Sequence, residues 1–156
     1  AFTSGILILV AAATTFNWLI AVAGFPEMIK IWFSDNINNF WMFLLIVNVL
    51  LMALGMVMES LAIILLLSPI LLPIAASYGI DPVHFSVVMV FNCAIGMITP
   101  PLGGAVFVAA TIARRPFLAV VRHIWQPWLV MTSVLLLITF APFFTLILPQ
   151  LAGYLR

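Results

Sequence analysis

The sequence predicts an all-α membrane protein, and three observations carry that prediction. Hydrophobic residues make up 67% of the chain and charged residues only 6%, against roughly a quarter charged in a soluble domain. No charged residue falls between Ala1 and Pro26 or between Pro82 and Ala113, and ~20 apolar residues in a helix span the ~30 Å of bilayer hydrocarbon. Prolines and glycines lie inside these apolar runs, so helices must break or bend at membrane depth, where hydrocarbon leaves no exposed backbone group satisfied. The formal charge of +1 argues nothing about nucleic acid, but no basic patch is present to neutralise phosphates, so no nucleic acid partner is expected. A single cysteine, Cys93, excludes an intrachain disulfide and a cysteine metal cluster. The opening residues carry no Met and no basic stretch, so no signal peptide is expected. Because apolar sequence starts at once, the chain is expected to be a segment of a longer one.

Residues 1–24 form the first crossing, with Gly5 to Gly24 as its apolar length and Thr14, Thr15 and Asn17 on a face that looks at protein. Residues 25–38 change character. Pro26 suits a first helical turn, Glu27 complements the positive helix end, and Met28, Ile29, Ile31, Trp32 and Phe33 supply an apolar face. The pattern predicts a short amphipathic helix in the interface with Trp32 near the headgroups, ended by Ser34-Asp35-Asn36.

Phe40 to Ala76 is apolar apart from Glu59 and a few small polar groups. Two arrangements satisfy it. Residues 37–57 and 61–78 are two full crossings joined at Glu59, or residues 40–78 are a re-entrant hairpin with its tip at Gly55-Met56-Val57-Met58-Glu59-Ser60. Pro69 and Pro73 each remove a helical hydrogen bond, which suits a segment packed inside a bundle. Hydropathy alone leaves both arrangements open.

Gly79-Ile80-Asp81-Pro82 is a turn, and His84 in the following first turn reads as a hydrogen-bonded or surface residue rather than a ligand. The next helix, 83–113, is broken at 96–104 by Gly96-Met97-Ile98-Thr99-Pro100-Pro101-Leu102-Gly103-Gly104. Adjacent prolines remove two donors, and the residue before proline avoids the helical conformation. The expected shape is half-helix, unwound crossing, half-helix, a device from which secondary transporters build ion sites. Asn92 and Thr99 offer side-chain oxygens on its approach, although a neighbouring helix would serve Asn92 equally well. Arg114-Arg115-Pro116 ends the run, 114–125 is an interfacial connection containing Arg122, and 126–156 holds the last crossing, about Trp128 to Leu148 with a kink at Pro142. Trp125 and Trp128 are expected at one membrane boundary and Tyr154 at the other. Positive-inside counting places Arg114, Arg115 and Arg122 in the cytoplasm and residues 26–38 outside, without deciding between hairpin and crossings.

Gly55 to Ser60, then Ser68-Pro69-Ile70-Leu71-Leu72-Pro73, Gly79-Ile80-Asp81-Pro82-Val83-His84-Phe85 and Gly96 to Gly103 occur in one order. Together with Arg114-Arg115-Pro116-Phe117 they resemble the C-terminal half of the large membrane subunit of tripartite ATP-independent periplasmic (TRAP) transporters. The resemblance implies an elevator-type, sodium-coupled secondary transporter of the bacterial inner membrane, not an enzyme. It imports an organic acid such as a C4-dicarboxylate or sialic acid, delivered by a periplasmic binding protein. It also implies a re-entrant hairpin at 40–78 entering from the periplasm, a scaffold role for 1–24, a connecting arm at 25–38 and half a transport domain at 40–156. The implied partners are the N-terminal repeat of the large subunit, a small four-helix membrane subunit, the binding protein, a small organic anion and lipid.

Sodium is a hard cation that requires oxygen ligands. The resemblance puts them at Gly55, Gly96, Thr99 and Gly103, as backbone carbonyls and the Thr99 hydroxyl. Ser60, Thr99 and Pro100 are then the substrate contacts. Glu59, costly at membrane depth unless paired, protonated or wet, goes to tip structure. No arginine lies near either tip, so a substrate carboxylate needs an arginine or helix end from the other repeat. The alternatives are a non-transporting scaffold or assembly subunit and, without a ring-like polar filter, less readily a channel.

Overall fold

The computed structural model describes residues 2–37, 39–100 and 103–153, which form helices with no strand among them. In chain order these are α1 (Phe2–Val22), α2 (Phe25–Asn36), α3 (Phe40–Val57), α4 (Ser60–Ser77), α5 (Pro82–Ile98), α6 (Gly104–Ala113), α7 (Phe117–Phe140) and α8 (Phe143–Leu151). Three of them, α3, α4 and α7, are long and apolar enough to cross a membrane. Pro101, Leu102 and Tyr154, to which the sequence assigns the unwound crossing and a membrane boundary, lie outside the described residues.

The core is built by α3, α4 and α5. Phe43, Leu44, Val47 and Leu51 of α3 meet Ile63, Ile70, Leu71 and Ile74 of α4 and Phe85, Met89 and Cys93 of α5 in one buried cluster. Contacts between α3 and α5 advance together along both helices: Phe43 stacks near Phe85, Asn48 bonds to Asn92, and Gly55 meets Gly96. The two helices therefore run parallel. The α4 helix runs back alongside this pair, and Tyr78 at its end stacks on Phe43 at 4.8 Å. The Tyr78 hydroxyl closes that end, its one hydrogen within reach of the carbonyls of both Ile37 at 2.8 Å and Phe33 at 3.0 Å, so α2 is tied to the base of the α3–α4 pair. Gly79 adopts φ +75 and turns the chain out of α4, with Gly79 N–H on the Ala76 carbonyl and Ile80 N–H on that of Ala75. Asp81 Oδ1 then caps α5 by accepting from the N–H groups of Val83 and His84.

The α7 helix runs antiparallel to α5 and α6. Its start stacks Phe117 on Phe107, its middle brings Trp128 to Thr99, and Leu135 packs with Val88 and Ile95. Phe117 to Trp125 is the first part of one continuous helix, since α7 runs on through Pro127 to Phe140. Pro127 and His123 are both exposed, so the single carbonyl that the proline frees faces outward and the helix survives. The Trp128 indole is half-buried and hydrogen-bonded in the middle of α7. At Pro142 the chain breaks rather than bends, and α8 starts afresh at Phe143. On α1, the Thr14 and Thr15 hydroxyls bond to their own helix, and Asn17 Nδ2 alone reaches across to the Leu65 carbonyl at 2.7 Å.

Candidate ion and substrate site at the helix break

Two interruptions meet because two glycines permit it. A Cβ on Gly96 would stand 2.7 Å from Gly55 Cα and 3.1 Å from the Met52 carbonyl. One on Gly55 would stand 2.9 Å from Gly96 Cα, so the backbones of α3 and α5 touch. Each glycine lies just before the end of its helix. The Met58-Glu59 interruption between α3 and α4 thus comes level with the interruption after Ile98. Each supplies one carbonyl end and one amide end, and α6 carries the chain a further ~15 Å beyond that level.

Thr99 holds the centre, at 6% exposure. Its N–H donates to the Gly96 carbonyl and its hydroxyl to the Ile95 carbonyl at 2.7 Å. The same hydroxyl accepts from Trp128 Nε1 at 2.8 Å, and the Thr99 carbonyl accepts from Gly103 N–H at 3.0 Å. Gly103 is buried and presses on this end of α5. A Cβ there would lie 2.6 Å from the Met97 carbonyl and 2.9 Å from that of Thr99. Gly55, Gly96, Thr99 and Gly103 are therefore brought into one backbone cluster rich in carbonyl oxygens. Helix carbonyl ends carry partial negative charge, so two of them side by side favour a cation.

The remaining candidates lie around that cluster. Ser60 opens α4 with its Oγ buried and without a hydrogen-bond partner among the described residues. Pro100 is half-buried. Glu59 is exposed on this chain, and its carboxylate does not cap α4. No side-chain hydrogen bond joins Ser60 or Glu59 to Thr99 among the described residues.

Sequence reasoning missed the polar ladder that holds these helices together. Asn92 Nδ2 donates to Asn48 Oδ1 at 2.6 Å and to the Asn48 carbonyl at 3.0 Å. Asn48 Nδ2 in turn donates to the Leu44 carbonyl and reaches Thr139 Oγ1 of α7 at 3.4 Å. His84 Nδ1 bonds to Thr145 Oγ1 of α8 at 2.7 Å, so it serves packing. The only signal in the sequence was amide and hydroxyl residues inside apolar runs, and their partners lie 44 to 91 positions away. Asn92→Ala leaves the Asn48 side chain short of a partner and is expected to destabilise the fold by roughly 1–2 kcal/mol. The unfolding midpoint of the purified complete permease in detergent checks this, and an unchanged midpoint contradicts it.

The family model for the tripartite ATP-independent periplasmic transporter, DctM component, matches residues 1–144. The C4-dicarboxylate TRAP transporter large permease protein DctM of Rhodobacter capsulatus is 40% identical over 149 residues, 95% of this chain and 34% of its own length. The sialic acid TRAP transporter large permease protein SiaM of Vibrio cholerae is 39% identical over 153 residues, 97% of this chain and 36% of its own. The 2,3-diketo-L-gulonate TRAP transporter large permease protein YiaN of Escherichia coli is 35% identical over 140 residues, 90% of this chain and 33% of its own. The helices long and apolar enough to cross a membrane and the match over residues 1–144 together define a segment of a membrane protein from a transporter family. The chain belongs to the DctM family of TRAP transporter large permeases, multi-pass proteins of the bacterial inner membrane. It spans about a third of the length of the curated relatives it matches.

Proposed function

We propose that this chain contributes half of the moving transport domain of a sodium-coupled carrier that imports a small organic anion. The observation that carries the proposal is the Gly55–Gly96 backbone contact, which sets a helix-pair tip beside a helix break. In this reading α3 and α4 form a re-entrant hairpin that enters from the periplasmic side, and α5 and α6 form one discontinuous crossing. The α1 helix belongs to a static scaffold, α2 is its arm, and Arg114, Arg115 and Arg122 face the cytoplasm.

Sodium is co-transported cargo that binds at the carbonyl ends of α3 and α5. Its ligands are the Thr99 hydroxyl and carbonyls at Gly55, Gly96 and Gly103, oxygen donors without a net charge. The amide ends of α4 and α6 face the organic anion, with Ser60, Thr99 and Pro100 at its contact surface. Glu59 shapes the tip and draws cations toward it. Holding ion and anion on neighbouring ends of the same two interruptions makes each bind more tightly with the other present, which is the coupling a symporter needs.

The names of the relatives point to carboxylate-bearing cargo, among them C4-dicarboxylates, sialic acid and 2,3-diketo-L-gulonate. The anion arrives on a periplasmic binding protein. The N-terminal repeat of the large subunit and a small four-helix membrane subunit complete the carrier within the lipid. The test is uptake of labelled C4-dicarboxylate and sialic acid by the complete transporter in proteoliposomes, with and without an inward sodium gradient. Uptake of one of them is expected to rise at least ~10-fold with sodium, and equal uptake in potassium overturns the coupling.

A further inference from the structure

We propose that Trp128 is a positioning residue for the sodium site, acting through Thr99. A threonine hydroxyl has one hydrogen and two lone pairs, and it rotates to suit its partners. Here the rotation is arrested. The hydrogen goes to the Ile95 carbonyl at 2.7 Å and one lone pair takes the Trp128 indole N–H at 2.8 Å, leaving a single lone pair in a fixed direction.

Trp128 is itself held in place, because its indole stacks on that of Trp125 at 5.2 Å and 18°. It also packs against the small cluster of Val88, Ile95 and Leu135. The α7 helix thereby aims an oxygen at the end of α5, across 29 positions of sequence. Without the indole N–H, the hydroxyl regains its freedom and competes for other acceptors. A sodium ligand that must be oriented at the moment of binding is a weaker one.

The role assigned to Trp128 rests on the proposed sodium site. The test compares Trp128→Phe, which keeps an aromatic ring and removes the N–H, with the unaltered complete transporter in proteoliposomes. The readout is the sodium concentration for half-maximal uptake of the transported anion. It is expected to rise about fivefold, the size of one neutral hydrogen bond. The maximal rate at saturating sodium and the unfolding midpoint without sodium are expected to stay within about twofold and a few degrees of the parent. Trp125→Phe, which removes an N–H that makes no hydrogen bond to Thr99, is expected to leave the sodium dependence unchanged.

An unchanged sodium dependence in Trp128→Phe overturns the positioning role while leaving the sodium site standing. A loss of uptake that saturating sodium does not restore also overturns it, because that is the signature of a purely structural side chain. Uptake indifferent to sodium in the unaltered protein overturns both.

Discussion

Gly96→Val is expected to abolish transport and to lower the unfolding midpoint of the permease by several degrees. The new Cβ would stand 2.7 Å from Gly55 Cα, closer than Cβ atoms approach other heavy atoms, and a tight 3.0 Å from the Gly55 carbonyl carbon. Both obstacles are backbone, so no side chain can swing aside and α3 must move off α5. Overpacking of this kind destabilises by about 3 kcal/mol. The larger consequence is geometric, because parting α3 from α5 separates the two interruptions. Gly104→Ala is the matched control. A Cβ there meets nothing within 4 Å, and the change is expected to be neutral or to stabilise by less than about 1 kcal/mol. Uptake and thermal unfolding of both variants check the pair, and near-parental transport by Gly96→Val would show that the contact is dispensable.

Thr99→Val separates the hydroxyl from the shape of the side chain. Valine is close in volume, and the backbone bonds from Thr99 N–H to Gly96 and from Gly103 to the Thr99 carbonyl do not involve the hydroxyl. The substitution deletes one proposed sodium ligand and strands the Trp128 indole N–H. A hydrogen-bonding group acting on a charge is worth about 1.5–3 kcal/mol, so sodium-stimulated uptake is expected to fall about 10- to 100-fold. Thr99→Ser restores the oxygen and is expected to recover most of the stimulation. Sodium stimulation that survives in Thr99→Val would remove the hydroxyl from the ligand set and leave only carbonyls.

Much of the helix pattern was legible because proline chemistry is local. Pro100 forbids a helical Thr99, and α5 indeed ends at Ile98; Gly79 before Asp81-Pro82 ends one helix and starts the next. The short amphipathic α2 was visible in the alternation of Glu27 and Lys30 with apolar residues, and its Phe33 does turn into the core. Tertiary pairing was not legible. In a chain that is 67% hydrophobic, the residue pattern alone does not mark Gly55 and Gly96 as a facing pair; only the resemblance, which puts both in one ligand set, brings them together. Nor could the partner of the Trp128 indole be read. An indole is equally at home at the interface and beside a buried acceptor, and the acceptor lies on another helix. Asn48 and Asn92 raise the same difficulty, since an amide inside an apolar run announces a partner without naming it.

The hairpin arrangement is the most exposed part of the proposed mechanism, and one labelling experiment addresses it directly. Met58 sits at the turn between α3 and α4. Met58→Cys, with the buried Cys93 replaced by alanine and any other cysteines of the complete permease removed, is treated in inverted membrane vesicles with a membrane-impermeant maleimide. A tip that stops at the level of the helix break, ~15 Å short of Arg114 by the length of α6, reacts slowly. Arg115→Cys, exposed at the cytoplasmic end in this arrangement, reacts fast. Labelling of Met58→Cys as rapid as that of Arg115→Cys would mean that α3 and α4 each cross the membrane completely.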